Sequence, residues 1–308
     1  MSTNNTSGYI GRFAPSPTGR LHLGSLICAL ASFLDARANH GKWLLRIEDI
    51  DPLREELGAS HSIIKSLTAH GMEPDSEILW QHDRIASYEL IIDDLLKYKK
   101  AFRCTCTRKQ IAAEGGCYPG YCRNMLHTDE NEHSIRVLVE QDCTISFNDG
   151  IQGYQQQDLN KGVGDFIIKR KDGLIAYQLA VAIDDAAQGI THVVRGSDLM
   201  DSTCRQMHLQ NLLELPTPAY FHIPVITHSD GHKLSKQTHA PHLNTKEATQ
   251  NLRLALEFLA QRQPPKSCIN VECLIQWAIE HWKLNRVPNI LTSPATGLTG
   301  FAEYSFIE

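Results

Sequence analysis

The sequence predicts an α/β protein built on a nucleotide-binding fold of the Rossmann type, and three observations lead to this prediction. A strand at residues 9–14 passes through a Pro- and Gly-rich turn into a helix. A second apolar strand at residues 43–47 ends in acidic residues. A helix at residues 202–213 is then followed by a strand at residues 220–227. Strands alternating with helices are typical of parallel sheets, in which ligands bind at the carboxyl ends of the strands.

The turn after the first strand carries the pattern of an anion site. Apolar residues recur with the spacing of one buried helix face at Leu23, Leu26, Ile27, Leu30, Phe33 and Leu34. His22 and Gly24 therefore fall at a helix N-terminus, where free N–H groups and the helix dipole favour an anion. A plain turn with a surface histidine is the alternative, and the stretch does not have the P-loop pattern GxxxxGK[ST].

The second strand runs into Glu48-Asp49-Ile50-Asp51-Pro52, and a Pro-led helix is expected after it. Glu48 is either a helix or loop acid or a residue of a ligand pocket, whereas Asp49 and Asp51 read as solvated acids. Amphipathic helices are predicted at residues 53–70 and 85–98.

Cysteines cluster next, around a Gly/Pro turn. Cys104 and Cys106 are followed by Cys117, Tyr118 and Cys122. Thiolates on a tight loop can close a tetrahedral zinc shell, but the spacing alone equally allows a set of reduced thiols. The remaining cysteines have no partner spacing and are interpreted as small core residues: Cys28, Cys143, Cys204, Cys268 and Cys273.

An α+β insertion is predicted after the cysteines. Strands are expected at residues 135–148, a Gln-rich loop at 155–157 and a further apolar segment at 165–170. Residues 176–180 and 193–199 lead back into the main sheet. After the loop around Lys236, helices are predicted at residues 245–261 and 271–282.

Composition bounds the possible partners and the compartment. The 308 residues are 42% hydrophobic, enough for a substantial core, and their net charge is −5. A nucleic-acid partner would therefore have to meet a local basic patch. No apolar run is long enough to span a membrane, and no signal peptide is recognisable at the start. We expect a cytoplasmic protein, in which nine cysteines favour thiols or metal ligands over disulfides.

Two distant motifs together resemble the signatures of the class I aminoacyl-tRNA synthetases. His22-Leu23-Gly24-Ser25 is similar to HIGH, and Lys233-Leu234-Ser235-Lys236-Gln237 is similar to KMSKS. Ser25 replaces the second His of HIGH, and Gln237 replaces the last Ser of KMSKS. The preceding Arg12-Phe13-Ala14-Pro15-Ser16-Pro17-Thr18-Gly19 narrows the resemblance to the glutamyl/glutaminyl branch. The resemblance covers roughly residues 8–285 and is greatest to truncated paralogues of glutamyl-tRNA synthetase.

The resemblance implies a set of site residues. The catalytic residues would be His22 and Lys236, and ATP would be bound by His22, Gly24, Ser25, Lys233 and Lys236. Glutamate would be bound by Arg12, Ala14, Ser16, Glu48, Tyr177 and Arg195, with Glu48 facing the substrate ammonium. One structural Zn²⁺ would be held by Cys104, Cys106, Tyr118 and Cys122, with Cys117 the rival of Tyr118 as fourth ligand. Mg²⁺ would accompany ATP.

The resemblance also implies an organisation and an activity. Residues 8–103 and 190–241 would form the two halves of the catalytic domain, residues 104–189 the insertion, and residues 242–308 a helical C-terminal segment and tail, with no anticodon-binding domain. Members activate L-glutamate with ATP without needing tRNA, then transfer it to queuosine at the wobble position of tRNA(Asp). The alternatives are a short enzyme that charges the tRNA 3′ end and a non-catalytic paralogue that binds nucleotide or RNA.

Overall fold

We describe a computed structural model of the chain at residues 8–113, 115–125, 132–228, 232–234 and 242–298. The strands are β1 (Ile10–Phe13), β2 (Lys42–Ile47), β3 (Leu79–Trp80), β4 (Ala101–Cys104), β5 (Ser134–Val137), β6 (Thr144–Asp149), β7 (Gly153–Asp158), β8 (Ile167–Lys169), β9 (His192–Gly196), β10 (Ala219–Ile223), β11 (Val225–Thr227) and β12 (Thr292–Pro294). The α-helices are α1 (Leu23–Ala38), α2 (Ala59–Ala69), α3 (Ile85–Lys97), α4 (Arg108–Ala113), α5 (Leu159–Gly162), α6 (Tyr177–Ala187), α7 (Met200–Leu212), α8 (Ala248–Phe258) and α9 (Val271–His281).

The centre of the fold is a set of parallel strands, as the βα alternation predicts. β2 pairs with β1 on one side and with β3 on the other, and β9 pairs with β10. The two groups meet where the Thr191 N–H donates to the Ile10 carbonyl oxygen at 2.9 Å. The resulting order is β3-β2-β1-β9-β10. Because the strands run in one direction, their carboxyl ends share one edge, and this edge carries the site described below.

Helix α1 forms the main core because its apolar face and β2 are both buried. Leu26, Leu30 and Leu34 are completely enclosed, and the ring of Phe33 packs edge-on against Trp43 with centroids 5.2 Å apart. Helices α8 and α9 cover the same core, and the Trp282 indole N–H donates to Asp35 at 2.8 Å. This arrangement confirms the predicted α1 and β2.

The antiparallel strands lie between the parallel ones along the chain. β5 pairs with β4 and β8, and β6 with β7 forms a hairpin. A second core lies beneath them. The hairpin turn packs against β10, because the Gly150 N–H donates to the Tyr220 carbonyl oxygen at 2.9 Å. A Cβ at Gly150 would come within 2.1 Å of the Phe221 ring, so only glycine fits there. The boundaries at residues 104 and 189 stay predictions.

Several predicted elements are wrong in detail. The helix expected at residues 53–70 begins only at Ala59, and no Pro-led helix follows Asp51, because turns fill this stretch up to Gly58 with its positive φ of 78°. The Gln-rich segment at 155–157 is part of strand β7, since β6 supplies its hydrogen-bond partners. The strand expected at 220–227 divides at Pro224 into β10 and β11.

Cys268 and Cys273, interpreted as unpartnered thiols, are joined as a disulfide that links the loop after α8 to the first turn of α9. The Pro265–Cys268 turn brings their Cα atoms to 5.3 Å, a proximity that the spacing did not indicate. In the described part of the chain, no helix combines the length and hydropathy needed to cross a membrane.

Candidate active site

A cavity of about 460 Å³ opens at the carboxyl ends of the parallel strands. It lies between the turn after β1, the start of α1, the start of α6, and the ends of β9 and β10. Its lining includes most of the site residues implied by the sequence: Arg12, Ala14, Ser16, His22, Gly24, Ser25, Tyr177, Arg195 and Lys233. Residues separated by more than 200 positions therefore share one pocket.

The start of α1 forms the phosphate-binding side of the cavity. His22 is the N-cap residue, and its Nδ1 accepts the Ser25 N–H at 3.3 Å, while the Ser25 hydroxyl lies 3.1 Å from Nε2. No acidic residue occupies the first turn of the helix. A Cβ on Gly24 would meet the His22 ring and Ile226 at 3.0 Å. The positive end of the α1 dipole thus faces the cavity. Gly24 has no side chain there to keep a ligand away from the backbone.

Only part of the KMSKS-like loop is described. Lys233 lines the cavity, and its Nζ donates to the Asp198 carboxylate at 2.6 Å. Leu234 is buried beside β11. Ser235, Lys236 and Gln237 lie outside the described residues. The role of Lys236 stays a prediction.

Arg195, at the end of β9, is a buried guanidinium that faces the cavity, and it is 4% exposed. Its Nε–H donates to His222 Nε2 at 3.0 Å, and its terminal nitrogens donate to Gln206 at 2.8 Å and to Thr203 at 2.9 Å. These partners are neutral side chains. Within the described ranges, no carboxylate forms an ion pair with Arg195. A buried charge without a counter-ion is costly, so this guanidinium is suited to an anionic ligand.

Arg12, at the end of β1, is in the opposite situation. Its guanidinium pairs with Asp185 at 3.2 Å, and Asp185 also accepts from Arg46 at 2.8 Å. Arg46 is fully buried and contacts Glu48 at 3.3 Å. Burial raises the pKa of the Asp185 carboxyl, but the charges of Arg12 and Arg46 outweigh it and hold that pKa below its usual value. Asp185 is therefore ionised near neutral pH.

Glu48 stands behind the cavity lining and not in it. Burial raises the pKa of its carboxyl to about 7, although the charges of Arg46 and Arg12 act in the opposite direction. Tyr177, at the first position of α6, lies close enough to Glu48 for that charge, together with burial, to raise the pKa of the tyrosine hydroxyl. A cation arriving beside Glu48 would favour its ionised form.

The residues that hold this site in place were missed in the sequence. Arg46, Asp184 and Asp185 form a buried charge network, in which Asp184 accepts from Arg84 at 2.6 Å and from the Tyr88 hydroxyl at 2.7 Å. One signal for them was present, because the two aspartates follow the apolar run Leu179 to Ile183 in a helix. Acids in such a position are rarely buried unless they are paired.

The cysteine cluster forms a second, separate candidate site. The sulfur atoms of Cys104, Cys106 and Cys122 all lie within 4.8 Å of one another and could hold a metal ion. The Tyr118 hydroxyl lies 3.4 Å from the Cys104 sulfur and 3.9 Å from the Cys106 sulfur. Cys117 instead directs its thiol to the Asn160 carbonyl oxygen at 3.3 Å. Three thiols and one phenol thus meet around one point, as the chemistry of a four-ligand site requires.

Comparison with known proteins defines the class to which this fold and site belong. A family model described as tRNA synthetases class I (E and Q), catalytic domain, matches residues 10–263. The chain is accordingly a class I tRNA synthetase, a ligase of the type that joins an amino acid to tRNA.

Similar sequences narrow this class. A Pseudomonas fluorescens protein named glutamyl-Q tRNA(Asp) synthetase is 47% identical over 97% of this chain and 100% of its own length. An Ectopseudomonas mendocina protein of the same name is 49% identical over 93% of this chain and 97% of its own. The chain belongs to the glutamyl-Q tRNA(Asp) synthetase family.

Solved structures agree with this assignment. The crystal structure of the glutamate-tRNA synthetase from Elizabethkingia anophelis has a TM-score of 0.78 to this chain at 25% identity. The match covers 94% of this chain and 68% of that protein. A glutamate tRNA ligase from Elizabethkingia meningosepticum, solved in complex with its amino acid, has a TM-score of 0.79. The predicted class I synthetase fold is confirmed.

Proposed function

We propose that this protein activates L-glutamate with ATP to glutamyl-adenylate without tRNA and then transfers the glutamyl group to queuosine in tRNA(Asp). The observation that carries the first half of the proposal is the buried Arg195, whose side-chain partners among the described residues are all neutral. The second half rests on the name of the relatives, glutamyl-Q tRNA(Asp) synthetase, in which we take Q to denote queuosine.

Charge balance in the pocket supports glutamate as the substrate. Arg12, Arg46 and Arg84 belong to a network with three carboxylates, so their charges are compensated when all the acids are ionised. Arg195 remains as the cation without a carboxylate partner in the described part of the chain. Glutamate, with two carboxylates and one ammonium, supplies one net negative charge. Glutamine supplies none and would leave the Arg195 charge buried and unpaired.

The two arginines can then take different roles. The α-carboxylate of the substrate must stay nucleophilic, so it cannot be held by a strong bidentate ion pair. We assign the side-chain carboxylate to Arg195, with the Tyr177 hydroxyl nearby, and leave to Arg12 a weaker orienting contact, since its charge is shared with Asp185. Glu48, whose pKa is raised to about 7 and whose charge acts on the neighbouring Tyr177, would accept the substrate ammonium. Ala14 and Ser16, which line the cavity, would lie beside the substrate.

Activation requires a phosphate site next to this pocket. An α-carboxylate oxygen attacks the α-phosphorus of ATP, the bond to the bridging oxygen breaks, and pyrophosphate leaves. His22, Gly24 and Ser25 at the start of α1 would hold the phosphates. Lys233 and Lys236 would stabilise the charge that develops on the leaving group. Mg²⁺ bound with ATP would supply further positive charge. In the second step a queuosine ring hydroxyl attacks the adenylate carbonyl carbon, and AMP leaves.

The cysteine cluster fits one structural Zn²⁺. Cys104, Cys106 and Cys122 would supply three thiolates, and Tyr118 is favoured over Cys117 because its hydroxyl already lies among the sulfurs. The Arg136 guanidinium lies over the Tyr118 ring at 4.1 Å and donates to the Cys104 sulfur at 3.3 Å. This donor would orient the Cys104 sulfur at the proposed metal site. The metal would tie the end of β4 to the loop after α4.

Pyrophosphate exchange tests the activation step. We expect exchange with ATP, Mg²⁺ and L-glutamate in the absence of tRNA, and exchange with glutamine that is lower by at least about 100-fold, because the site would reject a neutral side chain. Exchange that depends on tRNA, or equal exchange with both amino acids, would contradict the proposal.

The destination of the glutamate needs a separate experiment. The similarity to glutamate-tRNA synthetases favours one competing acceptor, the tRNA 3′ end. We expect labelled glutamate to enter tRNA(Asp) that contains queuosine, but not the same tRNA with unmodified guanosine. Enzymatic removal of the terminal adenosine should leave acceptance intact. If the trimmed tRNA accepts no glutamate, the protein charges the 3′ end.

A further inference from the structure

We propose that Asp149 and His222 are positioning residues for Arg195: Asp149 holds the His222 ring in the tautomer that accepts the Arg195 Nε–H. This inference rests on the proposed function, in which Arg195 binds a substrate carboxylate. It assigns a role in the pocket to a residue of the β6–β7 hairpin, which lies outside the parallel sheet.

Both oxygens of the Asp149 carboxylate have hydrogen-bond partners, which fix its position. It lies at the end of β6 and its side chain is completely buried. One oxygen accepts the backbone N–H groups of Ile151 at 3.0 Å, Gln152 at 2.8 Å and His222 at 3.1 Å. The other oxygen lies 2.6 Å from Nδ1 of the His222 ring. Burial alone would raise the pKa of this carboxyl, but the hydrogen bonds from His222 and Gln152 lower it below its usual value.

An ionised carboxylate has no hydrogen to donate, so the hydrogen between Asp149 and His222 must belong to Nδ1. Burial lowers the pKa of His222, and the charges of Arg195 and Arg12 lower it further, against the raising effect of Asp149. The ring is therefore neutral with its hydrogen on Nδ1. Nε2 then carries a lone pair, and this lone pair faces the Arg195 Nε–H at 3.0 Å.

In the opposite tautomer, with the hydrogen on Nε2, His222 and Arg195 would both present an N–H donor to each other. A hydrogen on Nε2 would point at the Arg195 Nε–H, and the guanidinium would have to turn. The hydrogen of the Thr203 hydroxyl, which lies 3.2 Å from Nε2, can rotate so that this group either donates or accepts. The N–H groups of Arg195 are fixed in the guanidinium plane and can only donate. Because Gln206 and Thr203 hold the terminal nitrogens, His222 completes the set of contacts that orients the guanidinium plane toward the cavity.

The hairpin that carries Asp149 is fixed to β10 by hydrogen bonds. Its turn is attached to β10 by the Gly150–Tyr220 backbone hydrogen bond, and the Gln152 side-chain amide donates to the His222 carbonyl oxygen at 2.8 Å. The tautomer of His222 is thus set by a residue that precedes it by 73 positions. A displacement of the hairpin would be transmitted to the substrate arginine.

Asp149→Asn tests the inference in the full-length protein by pyrophosphate exchange. The Asn oxygen can keep the backbone N–H contacts, which turns its NH₂ group toward Nδ1 and favours the Nε2–H tautomer. We expect the glutamate KM to rise roughly 10- to 100-fold, as for a lost hydrogen bond to a charged group, with the ATP KM within about twofold. Tyr154→Ala is the matched control, because it removes an exposed side chain of the same hairpin that contacts neither Asp149 nor His222, and its glutamate KM should not move.

A compensating variant separates positioning from general damage. In Asp149→Asn/His222→Gln, the amide oxygen of the new side chain can accept from Arg195 whatever group stands at position 149. The glutamate KM of the double variant should therefore fall back toward wild type. A merely structural role predicts that the double variant is worse than Asp149→Asn alone. If Asp149→Asn does not fold, His222→Leu and His222→Gln replace it, and an equal glutamate KM in both would overturn the proposal.

The tautomer can also be read without any activity. Ring ¹⁵N shifts of histidine-labelled protein, assigned by the signal that His222→Gln removes, should place the hydrogen on Nδ1. A hydrogen on Nε2 would overturn the inference whether or not glutamate is the substrate. Wild-type protein without glutamate-dependent exchange would instead overturn the proposed function, and this outcome leaves the tautomer measurement to decide the positioning role.

Discussion

Replacing Asp185 by asparagine should destabilise the protein far more than the same change at a surface ion pair. Asp185 is shared by two buried guanidinium groups, Arg12 at 3.2 Å and Arg46 at 2.8 Å. The variant keeps the size of the side chain but leaves two buried cations without this counter-ion. Breaking a buried pair in this way costs about 3–5 kcal/mol. Glu48 remains beside Arg46, so the lower part of that range is the better expectation.

Asp172→Asn is the matched control for this prediction. Asp172 pairs with Arg170 at the surface, where the two side chains are 43% and 37% exposed. Such pairs contribute about 0–1 kcal/mol because water and salt screen them. The asparagine oxygen can also keep the Leu174 N–H contact that Asp172 accepts at 3.3 Å.

Urea unfolding followed by tryptophan fluorescence and far-UV circular dichroism measures both variants. Between pH 6 and 8 the titration of Asp185 should not affect the difference in free energy of unfolding between wild type and Asp185→Asn. The pKa of Asp185 is lowered in the folded protein, so its stabilising effect is lost only as the pH falls through the acid range. A loss of less than about 1 kcal/mol for Asp185→Asn, or equal losses for the two variants, would refute the view that Asp185 neutralises Arg12.

Three further predictions concern catalysis, the metal and the pH dependence of stability. Lys236→Ala should lower the activation rate about 10²- to 10³-fold with little change in the glutamate KM, because its charge is needed where pyrophosphate leaves. Elemental analysis should find one zinc per chain, and Tyr118→Phe should weaken its retention while Cys117→Ser should not. Burial raises the pKa of Glu48 from 4.5 to about 7. The protonated side chain therefore makes its full contribution to the free energy of unfolding below pH 4.5, and this contribution is lost as the pH rises to 7. Relative to Glu48→Gln, the wild type should therefore lose on the order of 3 kcal/mol of stability across this range, measured by urea unfolding at each pH.

Each of these predictions has an outcome that would contradict it. A Lys236→Ala rate within a few-fold of wild type would make this residue an ordinary surface lysine. Metal lost from Cys117→Ser and kept in Tyr118→Phe would reverse the choice of the fourth ligand. Parallel stability curves for wild type and Glu48→Gln would place Glu48 in a more polar site, and Glu56→Gln, at an exposed position, is the control for that series.

The elements that could be predicted from the sequence are those whose patterns are local. Helix α1 and strand β2 were found because their apolar residues repeat with the period of one element. Strand β7 was missed because Gln155 to Gln157 carry no apolar alternation, and the segment becomes a strand only through its pairing with β6. The late start of α2 at Ala59 was missed because the preceding charged residues fit a helix as well as a turn.

By itself the sequence determined the types of group at the site: the anion-binding helix start at His22, the arginines at the ends of two strands, and the clustered cysteines. Only the tertiary structure decided which arginine is available to a ligand. Arg12 is neutralised by Asp185, which lies 173 positions away, whereas Arg195 is surrounded by Thr203, Gln206 and His222. The physical reason is that compensation of a buried charge depends on distance through the folded core, and spacing along the chain carries no information about that distance.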